Sequence, residues 1–75
     1  MESEEVFIVD FFKSLGLQIK KTRLSKGFTL EQLGFEIGLD KSAMFHIEKG
    51  RPITMTTFLK ITLALKIDPK DLLPK

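Results

Sequence analysis

The eighteen residues from Leu30 to Ile47 constrain this chain more tightly than any other stretch. Leu33, Ile37, Leu39, Met44 and Ile47 are apolar, Gly34 carries no side chain, and Gly38 separates two short runs of helical periodicity. Two short helices crossing at about 90–120° through a tight turn need this combination. The turn residue must reach positive φ, which favours glycine at position 38. The crossing brings the first helix close to the second, so a larger side chain at Gly34 would hold them apart. Leu33, Ile37, Met44 and Ile47 then share one core. Seven constrained positions in eighteen form a specific signal, which a lone glycine motif does not.

The remaining chain supplies further helices. Phe7, Phe11, Leu15 and Ile19 recur every four residues, and Ile8 and Phe12 widen that face. This predicts a first helix over about 5–26, with Gly16 as a candidate kink. Lys20, Lys21, Arg23 and Lys26 crowd its C-terminal end, where cations suit the helix dipole, and Gly27 supplies a left-handed stop. Thr29-Leu30-Glu31-Gln32 reads as a capping box for a helix over about 30–37. Asp40 caps a third helix over about 41–49, and Gly50-Arg51-Pro52 breaks it. Thr54 caps a fourth helix over about 55–65. Asp68-Pro69 starts a last helix of about one or two turns, from which Leu72 and Leu73 fold back. No stretch alternates with the period of a strand. The expected fold is an all-α five-helix bundle with an extended first helix. Residues 1–75 make one domain, with 1–14 an acidic and apolar extension of helix 1 and 30–49 the two-helix motif.

Composition narrows the function classes. The chain has no cysteine, which removes disulfides, thiolate metal sites and thiol redox chemistry. Its single histidine, His46, is too little for a multi-histidine metal centre and argues against a hydrolase triad. There is no Gly-rich phosphate loop and no nucleophile elbow, and Glu31 and Glu36 fall on solvated parts of helix 2. The expectation is therefore no enzyme, no metal, no cofactor and no small-molecule substrate. No run of about 18 apolar residues is present to span a membrane. Glu2, Glu4 and Glu5 stand where a secretory signal would be basic, so a cytoplasmic protein is expected. The net charge of +2 hides an asymmetry: residues 1–10 hold four acids and no cation, and the remainder holds twelve cations against six anions. A basic body fits an anionic polymer as partner.

The chain resembles the phage-repressor Cro/cI family of helix-turn-helix domains, the XRE family, over about four-fifths of its length. The resemblance is carried by Leu15-Gly16, Ile19, Arg23, Lys26-Gly27, Thr29, Leu33, Gly38, Ile47-Glu48-Lys49-Gly50 and the closing Ala64-Leu65, Ile67 and Leu72. It implies a five-helix domain of the lambda-repressor-like type, usually dimeric, that binds double-stranded DNA with its third helix in the major groove. It also implies an ion pair between Arg23 and Glu48 that clamps helix 1 to the reading helix.

A recognition helix offers base edges the residues of its N-terminal end and those one turn further on the same face. Here these are Lys41, Ser42, Phe45 and His46. Lys41 can donate to guanine, Ser42 and His46 can donate or accept, and Phe45 can meet a thymine methyl or the DNA backbone. Phe45 is equally open to a dimer contact or ordinary packing. Phosphate contacts are expected from Thr29 and Lys26 before the motif and from Lys49 and Arg51 at and just past its end. Thr29 offers its hydroxyl and the free amides of a helix N-terminus. Leu30 departs from the family, which often places a polar phosphate-binding residue there.

Apolar residues remain in surplus. Phe7, Ile8, Phe11 and Phe12 exceed the needs of one helix end, and Leu17, Phe35 and Leu63 stand where the family tends to be polar. Either the first turns of helix 1 cover the C-terminal helix within one molecule, or they form a homodimer surface with Leu63, Leu72 and Leu73. The function expected is a sequence-specific transcriptional regulator, a dimeric repressor or controller on a palindromic operator of nucleoid DNA. The alternative is a protein–protein adaptor or antitoxin-like module that keeps the fold and uses its exposed apolar face.

Overall fold

In the computed structural model, which describes residues 3–74, five helices follow in order. They are α1 (Glu4–Ser25), α2 (Leu30–Ile37), α3 (Lys41–Glu48), α4 (Met55–Leu65) and α5 (Pro69–Leu72). Glu2, part of the acidic cap in the sequence, lies outside the described residues. The helices α2 and α4 have the expected bounds; α1 starts and ends one residue earlier, and α3 stops one residue sooner because Lys49 is already its C-cap.

Each start is set by a side chain that satisfies an otherwise unpaired amide. The Val6 amide donates to Ser3 Oγ at 3.1 Å, and the Ala43 amide donates to Asp40 Oδ1 at 2.7 Å. At α2 the capping box closes in both directions: Gln32 N donates to Thr29 Oγ1 at 3.0 Å, and Thr29 N donates to Gln32 Oε1 at 2.9 Å. Thr54 and Asp68 do the same work for α4 and α5. Four of the starts share a second regularity. The residue before each cap (Phe28, Leu39, Ile53, Ile67) is a partly buried apolar side chain packed on the core. The residue five positions later (Leu33, Met44, Phe58, Leu72) is buried in the core. That pairing is the hydrophobic staple, which sets the angle at which the chain enters a helix.

The core is built from Leu15 and Ile19 of α1, Leu33 and Ile37 of α2, Met44 and Ile47 of α3, Phe58, Ile61 and Leu65 of α4, and Leu72 of α5. All five helices therefore bury one stripe against the others, and α3 sits against both α1 and α2. Gly38 turns the chain at φ 78°, as the two-helix pattern requires. A Cβ on Gly34 would collide with the Leu39 carbonyl and stand 3.2 Å from Met44 Cγ, so the missing side chain lets the two helices meet. Gly16 does not break α1, which continues through it. Its role is contact: a Cβ there would lie 2.5 Å from the Glu48 carbonyl oxygen.

The first turns of α1 extend past this core, and every described residue before Phe11 is exposed. Phe11 and Phe12 are half-buried, with their rings edge to face at 5.5 Å. Both face α4 and the C-terminal residues across an apolar cleft of about 110 Å³, which Ile53, Met55, Phe58 and Leu73 also line. Leu72 leaves the expected dimer surface because it is fully buried in the molecule's own core. Leu63 is 80% exposed, so it is open to a partner, and it lines a separate cleft with Gly38 and Lys60.

Candidate nucleic-acid interface

The helix α3 is short, and its eight residues divide by direction. Met44, Ile47 and Glu48 are buried, while Lys41, Ser42, Phe45 and His46 are exposed. The division follows from helical spacing, because positions 44, 47 and 48 share one face and 41, 42, 45 and 46 share the other. Lys49, at the C-cap, continues the outward stripe. All four side chains expected to meet bases therefore lie together on one solvent-facing surface.

That surface has internal order. The Lys49 Nζ stands over the Phe45 ring, 5.4 Å from its centroid. The His46 imidazole meets the same ring edge to face at 5.5 Å, with 77° between the planes. Phe45 is 45% exposed and belongs neither to the core nor to the apolar cleft beside α1.

The expected phosphate-binding side chains flank this stripe. Thr29 and Lys41 line one open cleft of about 460 Å³ at the N-terminal ends of α2 and α3, together with Leu30 and Glu31. Lys26 lines the neighbouring cleft with Glu31 and Gln32. Lys49 and Arg51 follow α3, and both are exposed. The capping box corrects one expectation. The amides of Thr29 and Gln32 are already engaged within the box, so they are not free to meet a phosphate. Thr29 Oγ1 accepts from Gln32 and keeps its own hydrogen to donate. The first-turn amides of Leu30 and Glu31 lie at the same helix N-terminus, where anions are favoured. Glu31 and Glu36 are exposed and belong to no cluster of metal-binding type among the described residues.

Behind α3 sits the ion pair. Arg23 Nε donates to Glu48 Oε2 at 2.6 Å and Arg23 Nη2 donates to Glu48 Oε1 at 3.1 Å. The guanidinium and carboxylate are thus paired fork to fork, with side chains only 7% and 5% exposed. A third bond runs from Arg23 Nη1 to the Phe28 carbonyl at 2.8 Å. One guanidinium therefore ties together α1, the segment leading into α2, and the end of α3. Among the described residues no buried side-chain nitrogen or oxygen lacks a partner. Sequence reasoning missed Phe28, whose carbonyl completes this set. The signal was present, since Phe28 precedes the Thr29 cap and Leu33 follows it at staple spacing.

Comparison with known proteins agrees with this geometry. The helix-turn-helix family model matches residues 19–72. The control protein C.BamHI of Bacillus amyloliquefaciens is 38% identical over 60 residues, which cover 77% of this chain and 74% of that protein. The crystal structure of the restriction-modification controller protein C.AhdI from Aeromonas hydrophila superposes with a TM-score of 0.77 at 36% identity, covering 84% of this chain and 96% of that one. The hypothetical transcription factor NHTF from Neisseria superposes with a TM-score of 0.79 at 28% identity, covering 87% of this chain and 77% of that one.

Proposed function

Because the chain belongs to the XRE-type helix-turn-helix family, we propose that it is a sequence-specific DNA-binding transcription regulator of the controller kind, which occupies a palindromic operator as a homodimer. The observation that carries this reading is the outward stripe of α3, where Lys41, Ser42, Phe45 and His46 are all solvent-facing on a helix held from behind. In this reading α3 enters the major groove. Lys41 donates to guanine O6 or N7, and Ser42 and His46 read neighbouring base edges. Thr29, Lys26, Lys49 and Arg51 bind phosphates on either side and fix the register. Bound protein competes with polymerase for the operator. The chain acts as one domain in the cytoplasm on nucleoid DNA, and the role requires neither catalysis nor a cofactor.

A twofold dimer sets the two α3 helices about one DNA turn, 34 Å, apart. The surface we assign to it is apolar ground of α1 and its neighbours: the exposed Phe7, Ile8, Met55 and Leu73 with the half-buried Phe11 and Phe12. Selection from a random DNA pool tests the whole reading. It should return a palindrome with half-sites one turn apart, and affinity should fall with salt at a slope of about −0.9 per neutralised phosphate. A protein that binds no duplex at low salt would refute it. That outcome would favour an adaptor or antitoxin-like role, for which the exposed Phe35 and Leu63 speak.

A further inference from the structure

Phe45 is the one outward residue of α3 whose chemistry is out of place in water. It stands between two cations of the same stripe, Lys41 one turn before and Lys49 one turn after. Nearly half its surface is open, although the core lies directly behind α3. It is also braced, with the Lys49 ammonium over the ring and the His46 imidazole against it. Bracing restricts the ring's rotamers before anything binds, which lowers the ordering cost of a later contact.

An exposed aromatic ring gains free energy when an apolar group covers it. On the base edges of the major groove the available apolar group is the C5-methyl of thymine; the other features are hydrogen-bond donors and acceptors. Resting on the reading that α3 enters that groove, we propose that Phe45 is a specificity determinant that reads the 5-methyl group of one thymine in each half-site. Lys49 and His46 act as positioning residues for the ring. The selectivity is for the methyl itself, so it distinguishes thymine from uracil at the same position.

The test uses the selected operator. Thymidines are replaced one at a time by deoxyuridine, which removes the methyl and leaves base pairing intact. At one position per half-site the replacement should weaken the full-length protein roughly three- to fivefold, the worth of one buried methyl-sized contact. Phe45→Ala should weaken the unmodified operator by a similar factor and become indifferent to deoxyuridine at that position, with its melting temperature unchanged. Phe45→Leu should keep part of the discrimination. A flat deoxyuridine scan on the unaltered protein would overturn the proposal even if Phe45→Ala weakens binding, because the ring would then pack on sugar and phosphate. Undiminished sensitivity to deoxyuridine in Phe45→Ala would overturn it by assigning the methyl to another residue. If no sequence is selected, the regulator reading fails first and this inference falls with it.

Discussion

Replacing Arg23 by alanine tests how α3 is held. The change leaves the Glu48 carboxylate, 5% exposed in the intact protein, without its fork of donors, and leaves the Phe28 carbonyl without Arg23 Nη1. Removing one partner of a buried pair costs about 3–5 kcal/mol, because a buried charge is left uncompensated. A domain of 75 residues has a total stability of about 4–11 kcal/mol at roughly 0.05–0.15 kcal/mol per residue. The loss is thus a large share of the whole. At about 4–8 °C per kcal/mol for a chain of this size, the melting temperature should drop by at least about 12 °C. Replacing both partners together, Arg23→Met with Glu48→Leu, should recover the part of that loss due to the unpaired carboxylate, since an apolar pair of similar volume is often neutral or stabilising. Arg23→Lys should fall between, because an ammonium cannot reproduce the bidentate fork. Urea unfolding of the intact protein, Arg23→Met, Glu48→Leu and the double variant, read as a double-mutant cycle, gives the coupling directly. A drop of less than about 1 kcal/mol for Arg23→Ala, or strictly additive single changes, would refute the claim that this pair clamps the reading helix.

The other predictions separate backbone from side-chain roles. Gly34→Ala should destabilise by about 1–3 kcal/mol, since its Cβ meets the Leu39 carbonyl, and thermal melting reads the difference. Gly38→Ala meets no atom and should lose only the left-handed backbone penalty, about 1–2 kcal/mol. Lys66 closes α4 at φ 56° as a non-glycine residue, so Lys66→Gly should raise stability by up to about 1 kcal/mol in the same assay. On the selected operator, Arg51→Ala should weaken all sequences about equally and reduce the salt slope by about 1. Lys41→Ala and His46→Ala should instead relax preference at particular positions. Met55→Glu, at a 66% exposed position, should shift sedimentation toward monomer without lowering the melting temperature of the monomer.

Caps and periodicity made most of the fold legible. Thr29, Asp40, Thr54 and Asp68 each mark a helix start because their side chains accept a specific orphan amide, and that is local chemistry. The expected inward residues Leu33, Met44 and Ile47 follow from spacing alone. Spacing also separates the outward stripe of α3 from its buried face. It could not say what covers a surplus apolar side chain. Phe11 and Phe12 proved half-buried against α4 and the C-terminal residues, whereas Phe7, on the same periodic row, is 64% exposed. The row is identical in the sequence, and only the length of α1 relative to the bundle divides it. Leu72 and Leu73 show the same limit: adjacent and chemically alike, one fills the core and the other lines the cleft.

Gly16 carries the deepest version of this limit. A glycine midway in a long helix reads as a weak point, since it costs about 1 kcal/mol relative to alanine and invites a bend. Here it is a contact surface, because the Ile47 and Glu48 carbonyls of α3 would stand 2.7 and 2.5 Å from a Cβ at that point. Gly34 makes the corresponding approach to Leu39 and Asp40 at the other end of α3. An eight-residue helix is too short to be stable alone. This one is gripped near each end by backbone that only a missing side chain can bring so close, and the Arg23–Glu48 pair closes the C-terminal grip. Such a helix presents its outward residues with little freedom left to lose on binding, which favours discrimination between similar sequences. Gly16→Ala should therefore reduce the ratio of specific to nonspecific DNA affinity, because the added methyl pushes the C-terminal end of α3 outward. Measured at a temperature where the variant is fully folded, an unchanged ratio would show that the close approach serves stability alone.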